Sequence, residues 1–257
     1  MNIQHLLYDR ELLLQGAKRN VVLKLWEVER YGSDSYGDTD YVSIYGMRPA
    51  DWHAKGARLL GRTAVECTRD NLADAIAKDV ATIAARRPPK TRTFVVDLFA
   101  GSGNTLYWLL RRLPGARAVG FESDPGVFGL TRQNISALAL PIDIRNTDYL
   151  SGFAGLSVMP DDLLIAFIAP PWGNALDRTN GLDLRHTAPP ITDIVDCLLQ
   201  RFAKNRLLCT IQVYEMVVPA SLSELRSRFD WSALRIYDLN MPGQNHGLLL
   251  GSKGWTP

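Results

Sequence analysis

Cysteine is scarce in this chain. Cys67, Cys197 and Cys209 are the only three in 257 residues, and no two form a Cys-x-x-Cys pair. That excludes a disulfide framework and a zinc-ribbon type of site. The four histidines, His5, His53, His186 and His246, share no metal-ligand spacing, so no metal is expected. No apolar run approaches the roughly 18 residues needed to cross a bilayer. The first ten residues lack the apolar core of a signal peptide. A cytoplasmic protein without membrane contact is therefore expected. An excess of charge of one sign is missing too. The net charge is +2, short of the basic footprint of a dedicated nucleic-acid binder, which neither excludes nor supports RNA. Ser102 lacks the Gly-x-Ser-x-Gly context and a placed histidine, which argues against a hydrolase triad. There are no internal repeats and no low-complexity tracts.

What the chain does have is apolar residues, 46% of the total. That suffices for one large α/β domain, or a domain with an appendage. The organising stretch is Phe94-Val-Val-Asp97-Leu-Phe99-Ala100-Gly101-Ser-Gly103-Asn104-Thr105. A short apolar run ends in an acid, turns through two glycines and enters the helical segment after Thr105. This reads as a buried parallel strand, a tight turn and a helix N-terminus. Glycines let a ligand lie against backbone that a Cβ would block, and the free N–H groups of a helix start suit an anionic or carboxylate-bearing ligand. A dinucleotide fingerprint needs a third glycine where Leu106 stands. The pattern instead resembles the first motif of the S-adenosylmethionine (SAM) methyltransferases. An ordinary strand–helix turn is the other reading of these residues.

Along the chain, residues 3–15 predict a short helix with Gly16 as C-cap. Asn20–Glu29 and Asp40–Met47 are rich in β-branched and aromatic residues and predict a hairpin. The polar stretch between them reads as a lid over a pocket or as a plain surface loop. Thr68 is the expected N-cap of a helix with Leu72, Ile76, Val80 and Ile83 on one face. From Phe94 onward, strands are expected at 94–98, 117–122, 142–146, 163–168, 206–213, 233–238 and 247–251. Helices are expected at 105–113, 126–138, 190–203 and 220–228. Strands alternating with helices indicate α/β architecture with a doubly wound, mostly parallel sheet. The boundary is placed near residue 60, giving an N-terminal α+β extension over 1–60 and a main domain over 61–257.

The chemistry-bearing residues sit at the ends of the expected strands. Glu122, with Ser123 after it, ends the second strand, where an acid accepts both hydrogen bonds of a ribose diol. Asp148 follows the third strand, placed for an adenine amino group, with Tyr149 to pack on the adenine face. The fourth strand ends in Ala169-Pro170-Pro171-Trp172-Gly173. Prolines bring no N–H, so carbonyls there stay available as acceptors. The indole offers a stacking face to a planar substrate. Carbonyls that accept the protons of an exocyclic NH₂ localise its lone pair toward a methyl donor.

Pro170-Pro171-Trp172-Gly173, followed by Leu182-Asp183-Leu184-Arg185, resembles the trimethylguanosine synthase family of RNA cap guanine-N2 methyltransferases. The resemblance covers about residues 60–257 and extends to motif I and to Thr68 with the helix after it. It implies a seven-stranded Rossmann-like fold with SAM as cofactor. Thr68, Asp97, Phe99, Ala100, Gly101, Gly103, Asn104, Thr105, Glu122, Ser123, Asp148, Tyr149 and Ala169 would line the cofactor site. Ala169, Pro170, Pro171 and Trp172 would form the catalytic motif, with Trp172 stacking on the acceptor base. Gly173, Asp183 and Arg185 would contact substrate, although Arg185 reads equally well as the ion-pair partner of Asp183. The family's serine is replaced by Ala169 and its second glycine by Asn174. The implied reaction is N-methylation of a guanine-type base in RNA or a nucleotide. The alternatives are a small-molecule methyltransferase and a SAM-binding partner without activity.

Overall fold

In the computed structural model, which describes residues 7–239 and 245–257, β1 (Thr93–Asp97) lies at the centre of a sheet, buried at every position. Before it come five helices: α1 (Arg10–Leu14), α2 (Leu25–Tyr36), α3 (Pro49–Ala54), α4 (Gly61–Glu66) and α5 (Asp70–Ala84). After it the chain alternates through α6 (Asn104–Arg112), β2 (Arg117–Glu122), α7 (Pro125–Ala137), β3 (Ile144–Asn146), α8 (Tyr149–Ala154) and β4 (Leu163–Ile168). A two-stranded excursion, β5 (Leu176–Asp177) and β6 (Gly181–Leu182), leads to α9 (Ile191–Arg201) and β7 (Arg206–Tyr214). The chain closes with α10 (Pro219–Arg226), β8 (Trp231–Tyr237) and β9 (His246–Lys253).

The main sheet has seven strands in the order β3-β2-β1-β4-β7-β9-β8. The first five run parallel, and β9 is antiparallel to both β7 and β8. Strand order reverses between β1 and β4, so the crevice outside their carboxyl ends is the expected place for a ligand in such a sheet. β4 is buried throughout, as a parallel strand covered on both faces must be. One face carries a core that joins Leu72, Ile76 and Val80 of α5 to Leu106, Val95, Ile165 and Leu208. The same core takes in Leu13, Val28, Tyr31 and Trp52 from the first sixty residues. The other face carries Phe121, Phe153, Leu164, Ile194, Leu198 and Leu225. The helices and strands expected from Phe94 onward all form, with no end shifted by more than two residues.

The N-terminal hairpin does not form. Leu25–Tyr36 is a helix closed by Gly37 at φ +71°. Its aromatic and β-branched residues suit a helix because Glu27, Val28, Tyr31 and Gly32 bury one face. Glu27 also accepts from the Lys24 N–H at 2.8 Å, capping the first turn. The supposed lid is thus mostly the second half of α2. Asp40–Met47 is a compact turn, with Tyr45 and Gly46 at φ +57° and +74° and Ile44 bridged to Met47. Of the helix expected over 3–15, Arg10–Leu14 is present, while residues 1–6 lie outside the described residues. Its C-cap is Gln15 rather than Gly16. Thr68 is not an N-cap: Arg69 holds that position, and the Thr68 hydroxyl points elsewhere.

The buried anchor of the N-terminal segment is Glu27, 2% exposed. Lys18 lies 2.7 Å from it, and the Tyr8 hydroxyl donates to it at 3.0 Å. Burial alone would raise the Glu27 pKa, but Lys18 and these donors bring it below its ordinary value. Among the described residues no helix is long and apolar enough to cross a membrane.

Candidate functional site

The carboxyl ends of β1, β2 and β4 bring three of the sequence motifs to one edge. Asp97 ends β1 and is 1% exposed. Among the described residues its carboxylate takes one hydrogen bond, from the Phe99 N–H at 3.2 Å. Burial pushes its pKa up to about 7, and the neighbouring Glu122 adds to the rise. Glu122 ends β2 and accepts from the Gly101 N–H at 3.0 Å and the Asp124 N–H at 2.7 Å. Burial raises its pKa as well. Two neighbouring carboxylates, both desolvated and, among the described residues, with no cation paired to Asp97, form a site that demands donors or positive charge from a ligand.

The glycine turn lies between the two acids. Gly101 sits at φ +51°, and a Cβ there would meet nothing nearer than the Phe99 carbonyl oxygen at 4.0 Å. The backbone is therefore uncovered at this point, and a methyl group would fill the cradle. Gly103, at φ +74°, is the N-cap of α6. Both conformations favour glycine. The turn is pinned to β2 by the Ala100 N–H bond to the Phe121 carbonyl at 2.8 Å and by the Thr131 hydroxyl bond to the Gly101 carbonyl at 2.8 Å.

Several predicted cofactor residues also make contacts within the protein. Asn104 is buried and accepts from the Tyr45 N–H at 2.7 Å. Its amide donates to the Thr68 carbonyl at 2.8 Å and to Asp70 at 3.1 Å. Its side chain therefore ties the N-terminal segment to α6 rather than facing the cradle. Phe99 and Tyr149 pack ring to ring at 5.7 Å. Asp148 caps α8, accepting from the Ser151 N–H and hydroxyl at 3.0 and 2.7 Å. The Ser151 N–H holds its pKa below the ordinary value. Ser123 is exposed and Thr105 is buried in the first turn of α6. Thr68 donates its hydroxyl to Gln212 Oε1 at 3.0 Å.

At the end of β4, Pro170 is buried, Ala169 and Trp172 are half-buried, and Pro171 and Gly173 are exposed. The indole of Trp172 stands edge-on to Tyr214 at 6.3 Å and lies 5.3 Å from the ring of His246. Past Gly173 the chain folds back, the Asp183 N–H bonding to the Ala175 carbonyl at 2.9 Å. Arg185 pairs with Asp183 through two contacts, at 2.6 and 2.9 Å, and His186 lies 3.5 Å from the same carboxylate. The ion pair that Arg185 was expected to make with Asp183 is present.

The sequence reading missed Gln212 and His246. Gln212 Nε2 lies 3.1 Å from His246 Nδ1, beside Trp172. No local motif announces either residue. The one available signal was position, at the end of one strand and the start of the last. Beside them Arg69 lies 3.7 Å over the Tyr41 ring, which stacks on Tyr36 at 3.5 Å. Among the described residues no cluster of histidine, cysteine and acids is placed to hold a metal. A cavity of about 520 Å³ opens at the opposite edge of the sheet, against Thr93 and Phe94. Its Arg92 and Arg112 are already paired with Asp162 and Asp74, and none of the strand-tip acids lines it.

No family model matches the sequence, and no curated protein matches it. Solved structures do match. A Listeria monocytogenes protein described as a class I S-adenosylmethionine-dependent methyltransferase superposes with a TM-score of 0.50 at 14% identity. The match covers 72% of this chain and 62% of that chain, so this protein spans less than two thirds of the Listeria chain's length. The fold is that of the class I methyltransferases. Two further methyltransferase structures match less well. The N-terminal domain of human METTL16 in complex with SAH gives 14% identity and a TM-score of 0.47, over 70% of this chain and 68% of that one. The C-terminal domain of precorrin-6Y C5,15-methyltransferase from Rhodobacter capsulatus gives 16% identity and a TM-score of 0.45, over 73% and 91%. In the methyltransferase fold seen here, Asp97, Gly101, Glu122 and the Pro170-Pro171-Trp172 turn share one edge of the sheet.

Proposed function

We propose that this chain is a SAM-dependent N-methyltransferase acting on an amino group of a planar acceptor, a guanine-type base in RNA or a nucleotide. The observation that carries the reading is the pair of desolvated carboxylates, Asp97 and Glu122, around the open backbone at Gly101. SAM fits the chemistry of that pair. Its amino group and ribose hydroxyls are donors, and an under-satisfied buried carboxylate stabilises donors through charge-assisted hydrogen bonds. Asp97, Gly101 and Glu122 would hold it, with Asp148 and Tyr149 at the adenine end. When bound, it supplies an electrophilic methyl group carried on a sulfonium.

The chain's own residues do the rest. Trp172 offers a face on which a planar ring lies. The carbonyls of Ala169 and Pro170 accept the acceptor's N–H protons and turn its lone pair toward the methyl. Positioning of this kind accounts for most of the barrier reduction in such a transfer. The proton leaves to water after transfer, so no general base is required.

Calorimetric titration with SAM tests the cofactor assignment. Binding by the parent chain and its loss in Asp97→Ala and Glu122→Ala support it, and unchanged affinity in both variants sinks it. Methyl transfer to an RNA pool and to a nucleotide pool tests the acceptor. A small-molecule acceptor is the second reading. It is favoured by the pairing of Arg185 with Asp183, which removes one cation that a phosphate backbone would use. Salt separates the two, because binding to RNA weakens steeply with ionic strength.

A further inference from the structure

The hydrogen bonds around His246 define a second recognition element beside Trp172. β9 runs antiparallel to β7, so its first residue lies at the edge where the parallel strands end. His246 is paired there with Tyr214 on one side and Tyr237 on the other. Its ring is 5.3 Å from the Trp172 indole and tilted by 33°.

With the Gln212 amide oriented as it is, oxygen to Thr68 and nitrogen to His246, the contacts behind the ring set which nitrogen carries the proton. The Thr68 hydroxyl meets Gln212 Oε1 at 3.0 Å. A carbonyl oxygen only accepts, so the hydroxyl donates. Gln212 is 7% exposed and turns its amide nitrogen to His246 Nδ1 at 3.1 Å. An amide nitrogen only donates, so Nδ1 accepts, and a neutral imidazole then bears its hydrogen on Nε2. Burial, with Arg69 and Arg10 adding repulsion, lowers the His246 pKa to about 4. The ring is therefore neutral at physiological pH, and its tautomer rather than its charge is what the relay sets. Among the described residues, Nε2 has no hydrogen-bond partner. Behind Thr68 the relay continues: its carbonyl accepts from Asn104, in the first turn of α6.

We infer that His246 is a specificity-determining donor for the methyl acceptor. Thr68 and Gln212 are positioning residues that keep the ring hydrogen on Nε2 in an imidazole standing beside Trp172. The ligand this subsite takes is a planar ring presenting a carbonyl oxygen or an unprotonated ring nitrogen at its edge. A lactam purine satisfies that requirement. A ring presenting an amino group there does not, because two donors would face each other. The ligand class rests on the methyl-transfer reading, whereas the tautomer rests on the structure alone.

The test uses the full chain labelled with ¹⁵N-histidine, with guanosine 5′-monophosphate and adenosine 5′-monophosphate as probes in the presence of SAM. The expected spectrum at pH 7 shows the His246 ring protonated on Nε2 alone, and Gln212→Leu shifts it toward the other tautomer. An Nδ1–H ring or an imidazolium in the parent chain overturns the proposal. Guanosine monophosphate should move the Nε2–H resonance and adenosine monophosphate should not. No movement with either, or equal movement with both, overturns the ligand class. His246→Phe should raise the KM for the guanosine probe about tenfold, a difference of 1.4 kcal/mol, and leave SAM affinity unchanged. His246→Gln, which retains an N–H at similar reach, should recover most of that loss. Equal behaviour of the Phe and Gln variants assigns His246 a packing role instead. Failure of the parent chain to bind SAM is a separate result: it defeats the methyl-transfer reading and leaves the tautomer to be judged by its own spectrum.

Discussion

Asp97→Asn should make the protein more stable and a poorer binder of SAM at once. The carboxyl is 1% exposed, and burial raises its pKa from an ordinary 3.8 to about 7. Between those values the folded chain keeps a proton that the unfolded chain has released. The resulting stabilisation is fully present below pH 3.8 and is lost as pH rises through 7. A rise of about three units, at 1.36 kcal/mol per unit, makes the ionised group cost about 4 kcal/mol at pH 8. Asparagine keeps an oxygen to accept from the Phe99 N–H and has no charge to desolvate. The variant should therefore gain up to about 4 kcal/mol at pH 8, or about 10 °C in Tm for a chain of this size. The gain should shrink to near zero at pH 4. SAM affinity should fall by about 1–3 kcal/mol, the worth of a charged hydrogen bond. Thermal unfolding at several pH values together with calorimetry measures both effects. A variant less stable than the parent at pH 8 would refute the reasoning, as would a gain independent of pH.

Other substitutions probe separate links. Gly101→Ala has room for its methyl but must hold φ at +51°. It should cost about 1–2 kcal/mol of stability and weaken SAM binding by filling the cradle; intact SAM affinity would move the cofactor away from this turn. Trp172→Ala should lower methyl transfer at least about tenfold, equivalent to 1.36 kcal/mol of barrier, while calorimetry shows SAM binding nearly unchanged. Unfolding of that variant would instead make the indole a packing residue. Lys18→Met strands the buried Glu27 carboxylate and should destabilise the fold by about 3 kcal/mol in urea denaturation. His246, with a folded pKa of about 4 against an ordinary 6.5, binds fewer protons folded than unfolded in that window. Its contribution therefore falls as pH drops from 6.5 to 4, opposite in sign to that of Asp97. In Asp97→Asn this acid lability should appear uncompensated in the Tm–pH curve, and His246→Gln should remove it.

Much of this protein was legible along the chain because the evidence was local. An apolar strand ending in Asp97, two glycines and a helix start need only neighbours in sequence. The same holds for Glu122 at the end of the next strand and for the Pro170-Pro171-Trp172 turn. Alternation of strand and helix then dictates a doubly wound sheet, which places those ends together. Asn20–Glu29 was misread because aromatic and β-branched composition is a weak guide. The helix there is decided by the burial of Glu27, Val28 and Tyr31 and by the Lys24–Glu27 contact, and burial overrides propensity. Thr68 looked like a helix cap, yet its hydroxyl serves Gln212, 144 residues away. Asn104, expected in the cofactor loop, also holds Tyr45 and Thr68 through its side chain. The sequence by itself determined the sheet, the acids at its edge and the turn that carries the indole, since each is set by residues a few positions apart. Only the tertiary structure decided that the first sixty residues share the main core and that His246 stands beside Trp172 with its tautomer set by Gln212. Hydrogen bonds between distant strands leave no periodicity in the chain that makes them.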